Sequence, residues 1–375
     1  MGDLIPLNVP YVPESSKQYV LEALESKHQQ GDGPFTTKAS KIISDLVGGG
    51  HVLLTPSCTH ALEMASMLSD IGPGDEVILP SYTFTSAATA VTKFGATPVF
   101  VDIESSTKGI NIQQVHEAIT PKTKAISWVN YAGIVPDVEG LQNLACEYDL
   151  ILIEDNAHGL GGIFKGKPLG SFGDFATQSF HASKNIQCGE GGALIINNQK
   201  FIERAEIIRE KGTNRSKFMR GEIQKYQWVD HGSSYLLAEN LAAVLLGQLE
   251  QIKEIQTKRD YIFDRYNKEL CNWAVKNNFE LSFTRTSDIH TSHMFYLVAE
   301  TQQCRDLLIR KLHRLGIQAS FHYQSLANSI MGSNYGPPVN PLQISQRMSS
   351  QLLRLPLYVG LDTENQGRVI ESIVS

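Results

Sequence analysis

Between about residue 50 and residue 200 the chain repeats one pattern: a short run of Val, Ile and Leu, then a stretch with helical spacing. Residues 52–54 precede 59–68, and 76–79 precede 83–93. Runs 98–101, 125–129 and 150–153 follow at similar intervals, with helical segments 112–119 and 138–148 between them. Apolar strands alternating with helices predict a parallel or mostly parallel sheet covered on both faces, the core of an α/β fold. Such sheets place their chemistry in the loops at the carboxyl ends of strands. Four loops are candidates to converge there: 55–59, 80–84, 130–133 and 155–158.

After Ile196 the texture changes. Residues 201–211 read as a helix ended by Gly212, and 236–269 as a long helical region, kinked or divided. Shorter, mixed elements follow from about 265 to 375. The stretch 328–341, rich in Gly, Pro, Asn and Ser, reads as a long loop of the kind that forms lids and binding loops. A chain of 375 residues exceeds one small core. The expected division is a large domain over 1–250 and a smaller C-terminal α+β domain over 251–375.

Charge and cysteine usage exclude several classes. A net charge of −6 argues against nucleic acid or an anionic membrane as partner. The five cysteines, at 58, 146, 188, 271 and 304, are scattered without a CxxC pair, which predicts reduced thiols and no metal site. The start, Met1 to Pro6, has no basic region or apolar stretch, so no secretory leader is expected. Pro6 breaks the pattern of a myristoylation start. No run approaches the ~18 apolar residues of a membrane span, and a cytoplasmic location is expected. Gly48-Gly49-Gly50 precedes a strand instead of linking strand to helix, and no GxxxxGK[ST] occurs, so neither dinucleotide fingerprint nor P-loop is supported.

The chemistry-bearing residues are few. Runs 175–180 and 193–196 read as strands, and the loop joining them contains Ser179, His181, Ser183, Lys184 and Asn185, then Gly189-Glu190-Gly191-Gly192. A lysine desolvated at such a junction drops its pKa and becomes a nucleophile towards carbonyls. Asp155 closes an apolar run, where a carboxylate needs a cationic partner. A protonated pyridine nitrogen is one such partner, and the carboxylate then keeps the ring an electron sink. Thr55-Pro56-Ser57-Cys58-Thr59-His60 puts hydroxyls at a helix start, which serves as a cap or a phosphate site. Phe84 can stack on a flat ring, and His158 can lie against it. Taken singly, each has a plain alternative: solvated lysine, capping Asp, core aromatic, structural histidine. Their order along the chain is what points to one pocket.

With these residues the chain resembles the sugar-nucleotide aminotransferases of the DegT/StrS family. The resemblance runs over essentially the whole chain. It rests on Gly31-Asp32-Gly33-Pro34-Phe35-Thr36, Gly72-Pro73-Gly74-Asp75, Pro80-Ser81-Tyr82-Thr83-Phe84, Gly95 to Asp102, Glu154-Asp155 and Ser179 to Gly192. Arg209 to Ser216, Gly232 to Leu236, and His322-Tyr323 bring it nearest to the enzymes that aminate C4 of dTDP-4-dehydro-6-deoxy-D-glucose.

That resemblance implies the fold type I, aspartate-aminotransferase-like architecture, pyridoxal phosphate as cofactor and L-glutamate as amino donor. It implies a homodimer with active sites at the interface, to which Gly232–Leu236 of the partner would contribute. Lys184 would hold the cofactor and act as catalytic base. Asp155 would pair with the pyridine nitrogen, Phe84 would stack on the ring, and His158 would lie near its hydroxyl. Cys58, Thr59 and Ser179 would surround the phosphate, and Arg215, His322 and Tyr323 would meet substrate. The product would be a 4-amino-4,6-dideoxyhexose nucleotide for surface polysaccharide, of galacto or gluco configuration. Two departures stand out: Leu236 where many relatives place a phosphate-binding Asn, and Ser325 where they place Pro. A dehydrating branch has His at the lysine position, and Lys184 here favours amino transfer. The alternatives are a 3-aminotransferase or dehydratase on a related sugar nucleotide, or a non-catalytic regulator of the same fold.

Overall fold

Period-two alternation sorts the apolar runs onto two faces of one sheet. In β1 (His51–Thr55), Leu53 joins one core cluster while Val52 and Leu54 join another. The same alternation recurs in β2 (Glu76–Pro80), with Val77 and Leu79 on one side and Ile78 on the other. The remaining strands of this sheet are β3 (Thr97–Val101), β4 (Thr123–Val129) and β5 (Ile151–Asp155), then, past a short hairpin of β6 (Ile163–Phe164) and β7 (Lys167–Pro168), β8 (Phe175–Ser179) and β9 (Gly192–Ile196). Their spatial order is β1-β9-β8-β5-β4-β2-β3. All pairings are parallel except those of β9, which runs antiparallel to both neighbours. The sheet is therefore the mostly parallel one anticipated.

The computed structural model describes residues 4–282 and 289–375; residues 1–3, part of the start read above for a leader, lie outside that range. Its helices are α1 (Glu14–Glu25), α2 (Pro34–Leu46), α3 (Cys58–Leu68), α4 (Thr85–Thr92), α5 (Ile112–Ala118), α6 (Val138–Tyr148), α7 (Ile202–Arg209), α8 (Arg215–Met219), α9 (Glu239–Glu250) and α10 (Ile252–Lys276). Helices α2, α9, α5 and α6 cover one face of the sheet, and α3, α4 and α7 the other. Burying a Leu, Ile or Val side chain in these layers stabilises by about 1.5–3 kcal/mol each. Among the described residues no helix is long and apolar enough to cross a membrane, and no group of three or more His, Cys, Asp or Glu is placed to hold a metal ion.

The helical region expected over 236–269 is indeed divided. It breaks at Gln251, begins only at Glu239, and continues to Lys276. The late start has a cause: the Glu239 carboxylate turns back to accept the amides of Gly33, Phe35 and Thr36, tying α9 to the start of α2. Beyond α10 a three-stranded antiparallel sheet forms in the order β10 (Glu280–Leu281), β11 (Phe295–Val298), β12 (Leu352–Leu355). It packs with α11 (Gln302–Arg314), α12 (Gln343–Gln351) and α13 (Thr363–Val374).

The stretch 328–341 is less structureless than its composition implied. It is preceded by one 3-10 turn, Leu326–Asn328, and contains another, Gly332–Tyr335. The Ser329 hydroxyl, which donates to Leu326 O and accepts from Gly332 N–H, shapes the chain between them. Two polar clasps hold this region on the large sheet. Asp102 accepts the amides of Ile344 and Ser345, and the Ser81 and Ser325 hydroxyls lie 2.7 Å apart. Tyr82, Val129 and Tyr131 pack there against Met294, Tyr296 and Leu352.

Candidate active site

The carboxyl ends of β1, β2, β5 and β8 open on a cavity of about 530 Å3. Because β1 and β8 both pair with β9, Thr55 and Ser179 face the same residue, Gly192, from either side. A Cβ at position 192 would lie 2.3–2.4 Å from the backbone of Ser57 and Cys58, so only glycine lets β9 approach the α3 cap. Ser57 caps α3 by accepting His60 N–H at 3.2 Å. The first-turn amides of Cys58 and Thr59 precede the helical hydrogen-bond ladder and are left for an anion. Thr59 Oγ1 is braced by Ser86 Oγ at 2.7 Å.

Asp155 ends β5 on the α3 side of the sheet. It is buried, its Oδ1 accepts Ala157 N–H at 3.0 Å, and the Cys58 thiol lies 4.0 Å away. Burial raises its pKa, opposed by the Ala157 bond and by Lys184. Its neighbour Glu154 points to the opposite face and accepts Gly170 N–H, Phe172 N–H and the Asn130 amide at 2.7–2.9 Å. That buried network fixes the strand end from which Asp155 projects.

Lys184 is half-buried on the cavity wall. Its amine makes no hydrogen bond or ion pair among the described residues, and burial pushes its pKa down to about 8, against the pull of Asp155. The loop carrying it is held by backbone bonds, Lys184 N to His181 O and Ala182 N to Gly189 O, both 2.8 Å. An uncommitted amine titrating near neutrality beside a buried carboxylate suits nucleophilic attack and proton transfer.

The facing wall is made of rings. Tyr323 stacks on His322 with centroids 3.7 Å apart, and His158 stacks on His293 at 4.2 Å. Burial, together with the charges of Lys184 and Arg354, drives the pKa of His158, His293 and His322 well below the ordinary value. All three are therefore neutral at physiological pH.

Most expected residues meet at this cavity. Cys58, Thr59, Phe84, Asp155, Ser179, Lys184, His322 and Tyr323 line it, and His158 sits just behind Tyr323 with its Nε2 3.3 Å from the phenol oxygen. Phe84 is exposed at the mouth, as a ring awaiting a stacking partner would be. Arg215 is not among the lining residues; it opens α8 and pairs with Glu210 at 2.6 Å. Gly232 to Leu236 likewise lie away from this chain's own cavity, with Ser233 and Ser234 exposed. His181 also lines the cavity.

Sequence reasoning missed Arg354. It projects from β12 between the buried Leu353 and Leu355. Its backbone is clasped on both sides by Tyr296 and Ser320, and its Nε is buried with no hydrogen bond among the described residues. One arginine inside an apolar strand, Leu-Leu-Arg-Leu, was the signal available.

The donor set fits one kind of group: a flat cationic heterocycle with an anionic tail. The α3 amides suit the tail, Asp155 a ring nitrogen, Phe84 a ring face and Lys184 a carbonyl.

Comparison with known proteins agrees. The model of the DegT/DnrJ/EryC1/StrS aminotransferase family matches residues 10–374. Among solved structures, the aminotransferase TlmJ from Streptoalloteichus hindustanus superposes with a TM-score of 0.90 at 26% identity, covering 99% of this chain and 98% of that one. Spr1654 from Streptococcus pneumoniae, assigned as a sugar aminotransferase and seen in its PMP form, gives 0.90 at 27% identity over 98% of both chains. Helicobacter pylori PseC, an aminotransferase of pseudoaminic acid biosynthesis, gives 0.89 at 25% identity over 99% and 98%.

Proposed function

Since the chain belongs to the DegT/DnrJ/EryC1/StrS aminotransferase family, we propose that it transfers an amino group from L-glutamate to C4 of dTDP-4-dehydro-6-deoxy-D-glucose. It is an enzyme, a sugar aminotransferase of fold type I, and its cofactor is pyridoxal phosphate. The observation that carries the residue assignments is the convergence of Asp155, Lys184 and the α3 cap on one cavity. The choice of C4 and of the dTDP sugar rests on the sequence resemblance of 209–216, 232–236 and 322–323.

When bound, pyridoxal phosphate supplies an electron sink through which an amino group passes between carbon skeletons. Lys184 is the residue to hold it, because burial lowers its pKa to about 8 and leaves a good share of the amine uncharged near neutrality. Once released, the same amine carries the proton at the reacting carbon. Asp155 keeps the ring nitrogen protonated, Phe84 covers one face, and Cys58, Thr59 and Ser179 receive the phosphate. Residues 1–250 form the cofactor domain and 251–375 the smaller one. Two copies pair so that Gly232 to Leu236 of one reach the cavity of the other, where Ser233 or Ser234 stands in for the relatives' Asn, and Arg215 meets the substrate. The reaction takes place in the cytoplasm, and the amino sugar goes to surface polysaccharide.

The test is incubation of the cofactor-loaded protein with glutamate and dTDP-4-dehydro-6-deoxyglucose, with the product read by NMR. Nitrogen on C4 is expected, and its axial or equatorial setting gives the galacto or gluco product. Nitrogen on C3, or a deoxygenated C3 without nitrogen, would assign one of the alternative reactions. A visible absorbance that glutamate fails to bleach would leave only a non-catalytic role.

A further inference from the structure

The ring wall contains a chain of hydrogen bonds whose direction is set at one end. Ala132 adopts φ 55°, ψ 16°, the left-handed region that a non-glycine residue enters only when its surroundings hold it there. In that conformation its amide donates to His158 Nδ1 at 3.2 Å. A backbone N–H can only donate, so Nδ1 bears no proton. The imidazole is neutral, being buried and close to Lys184 and Arg354. Its one proton is therefore on Nε2, which lies 3.3 Å from Tyr323 Oη.

The ring cannot swivel out of this arrangement. His293 stacks beneath it, and His293 Nδ1 lies 2.8 Å from Asn185 Oδ1. The Asn185 amide is itself oriented by donating to Thr291 O at 2.7 Å, while Thr291 Oγ1 donates to His158 O at 2.8 Å. Asn185 follows Lys184 directly, so the clamp and the reactive amine share one loop. Tyr323 is equally fixed, stacked on His322, whose Nδ1 lies 2.8 Å from the Tyr131 hydroxyl.

If Tyr323 Oη accepts from His158, its own proton points elsewhere, and no acceptor for it exists among the described residues. The phenol stays protonated because burial raises its pKa. We propose that Ala132, His158 and Tyr323 form a one-way relay that makes Tyr323 an obligate hydrogen-bond donor to an oxygen of the ligand in the cavity. This rests on the functional reading above, and the acceptor is the phenolic oxygen of the cofactor or a carbonyl or hydroxyl oxygen of the hexose. His158 is then a positioning residue: it acts on the ligand through Tyr323.

The relay is tested first without activity, by 15N NMR of the apoprotein labelled at histidine. A bare Nδ1 and a protonated Nε2 on His158 are expected at pH 6 and above; the opposite tautomer, or a charged ring, overturns the proposal. Because this reading needs no turnover, it stands or falls separately from the assigned reaction.

Variants of the loaded enzyme test the direction. His158→Gln keeps it, since an amide oxygen accepts from Ala132 while its NH2 donates to Tyr323. His158→Glu reverses it, since a carboxylate only accepts and draws the phenol proton back. His158→Glu should match Tyr323→Phe, and both should fall about tenfold or more below His158→Gln in kcat/KM, the loss of one hydrogen bond. Equal activity of the Gln and Glu variants would overturn the relay. A shift in the pH midpoint of the visible absorbance in the Glu and Phe variants, before sugar is added, identifies the cofactor's oxygen. An unchanged spectrum with a raised KM for the keto sugar alone identifies the hexose. If neither readout moves, Tyr323 is not a donor and the proposal fails.

Discussion

The two walls of the cavity are built on opposite plans. One is made at the carboxyl ends of strands and presents a carboxylate, an amine, a thiol and a hydroxyl from backbone-fixed positions: Asp155, Lys184, Cys58 and Ser179. The other rises from the region of the small sheet and consists of neutral rings with one arginine: His322, Tyr323 and Arg354, backed by His158 and His293. On the proposed function the first wall carries the chemistry, and the second sets the polarity and shape around it. Substitutions on the first should therefore lower kcat, while those on the second should act on binding and on response to acid.

The largest effect is expected at Lys184. Lys184→Ala should lower kcat by about 10^4-fold, the upper range for losing a positioned base. Borohydride reduction of the loaded wild type should fix the cofactor on this residue, as peptide mapping would reveal. In the wild-type apoprotein, the rate of cofactor attachment should climb with pH and level off above about 8, where the amine is free. Attachment at another lysine would remove the first wall's claim to the chemistry.

Asp155→Asn comes next, with kcat lowered about 10^2–10^3-fold, as when one preorganised electrostatic partner is removed. Cofactor binding, followed by absorbance, should persist, because the α3 cap and Lys184 remain. If kcat held while KM for the sugar rose, Asp155 would belong functionally with the second wall.

Acid separates the walls by sign. His158 and His293 have depressed pKa values, so the unfolded chain binds more protons than the folded one below the ordinary value of 6.5. Their contribution is complete above that pH and is lost as pH falls. His290, lowered to about 4, and His322 act the same way. Asp155 and Glu154 have raised values, so protonating them on acidification opposes the loss. Urea unfolding of the apoprotein should show stability falling below pH 6.5 by roughly 1 kcal/mol per pH unit for each fully buried histidine. His293→Asn should flatten that fall, while Asp155→Asn should steepen it. A profile flat from pH 7 to about 5 would mean that the rings are not buried as a block.

The same contrast explains what could be read from the chain alone. Val- and Leu-rich runs at regular spacing gave the strands of the large sheet, and residues at their ends gave Asp155 and Lys184, because local sequence and loop position coincide there. The antiparallel run of β9 was not visible, since its apolar run looks the same in either direction. Of the ring wall, His158, His322 and Tyr323 were legible, but His293 and Arg354 escaped for another reason. His293 and Arg354 lie far from Asp155 and Lys184 in the chain, and only the packing of the small region on the large sheet brings them to the site. Residues 328–341 are the loop that their composition predicts, but composition does not show that Ser329 closes a turn within it.

Arg354 gives the smallest effect and the sharpest division between the walls. Its side chain lines the cavity with a buried Nε that nothing among the described residues satisfies, while Asp155 is assigned to the cofactor on the proposed function. A buried donor without a partner is costly, and a fork of N–H donors on a rigid strand is built for an oxyanion. Both expected substrates bring one, a carboxylate on glutamate and a diphosphate on the sugar nucleotide. Arg354→Gln should leave kcat near the wild-type value and raise the KM of one substrate by about tenfold, as for a single charge-assisted hydrogen bond. Measuring the glutamate and sugar half-reactions separately shows which. A fall in kcat with both KM values unchanged would place Arg354 with Lys184 and Asp155, and the division of labour between the walls would have to be redrawn.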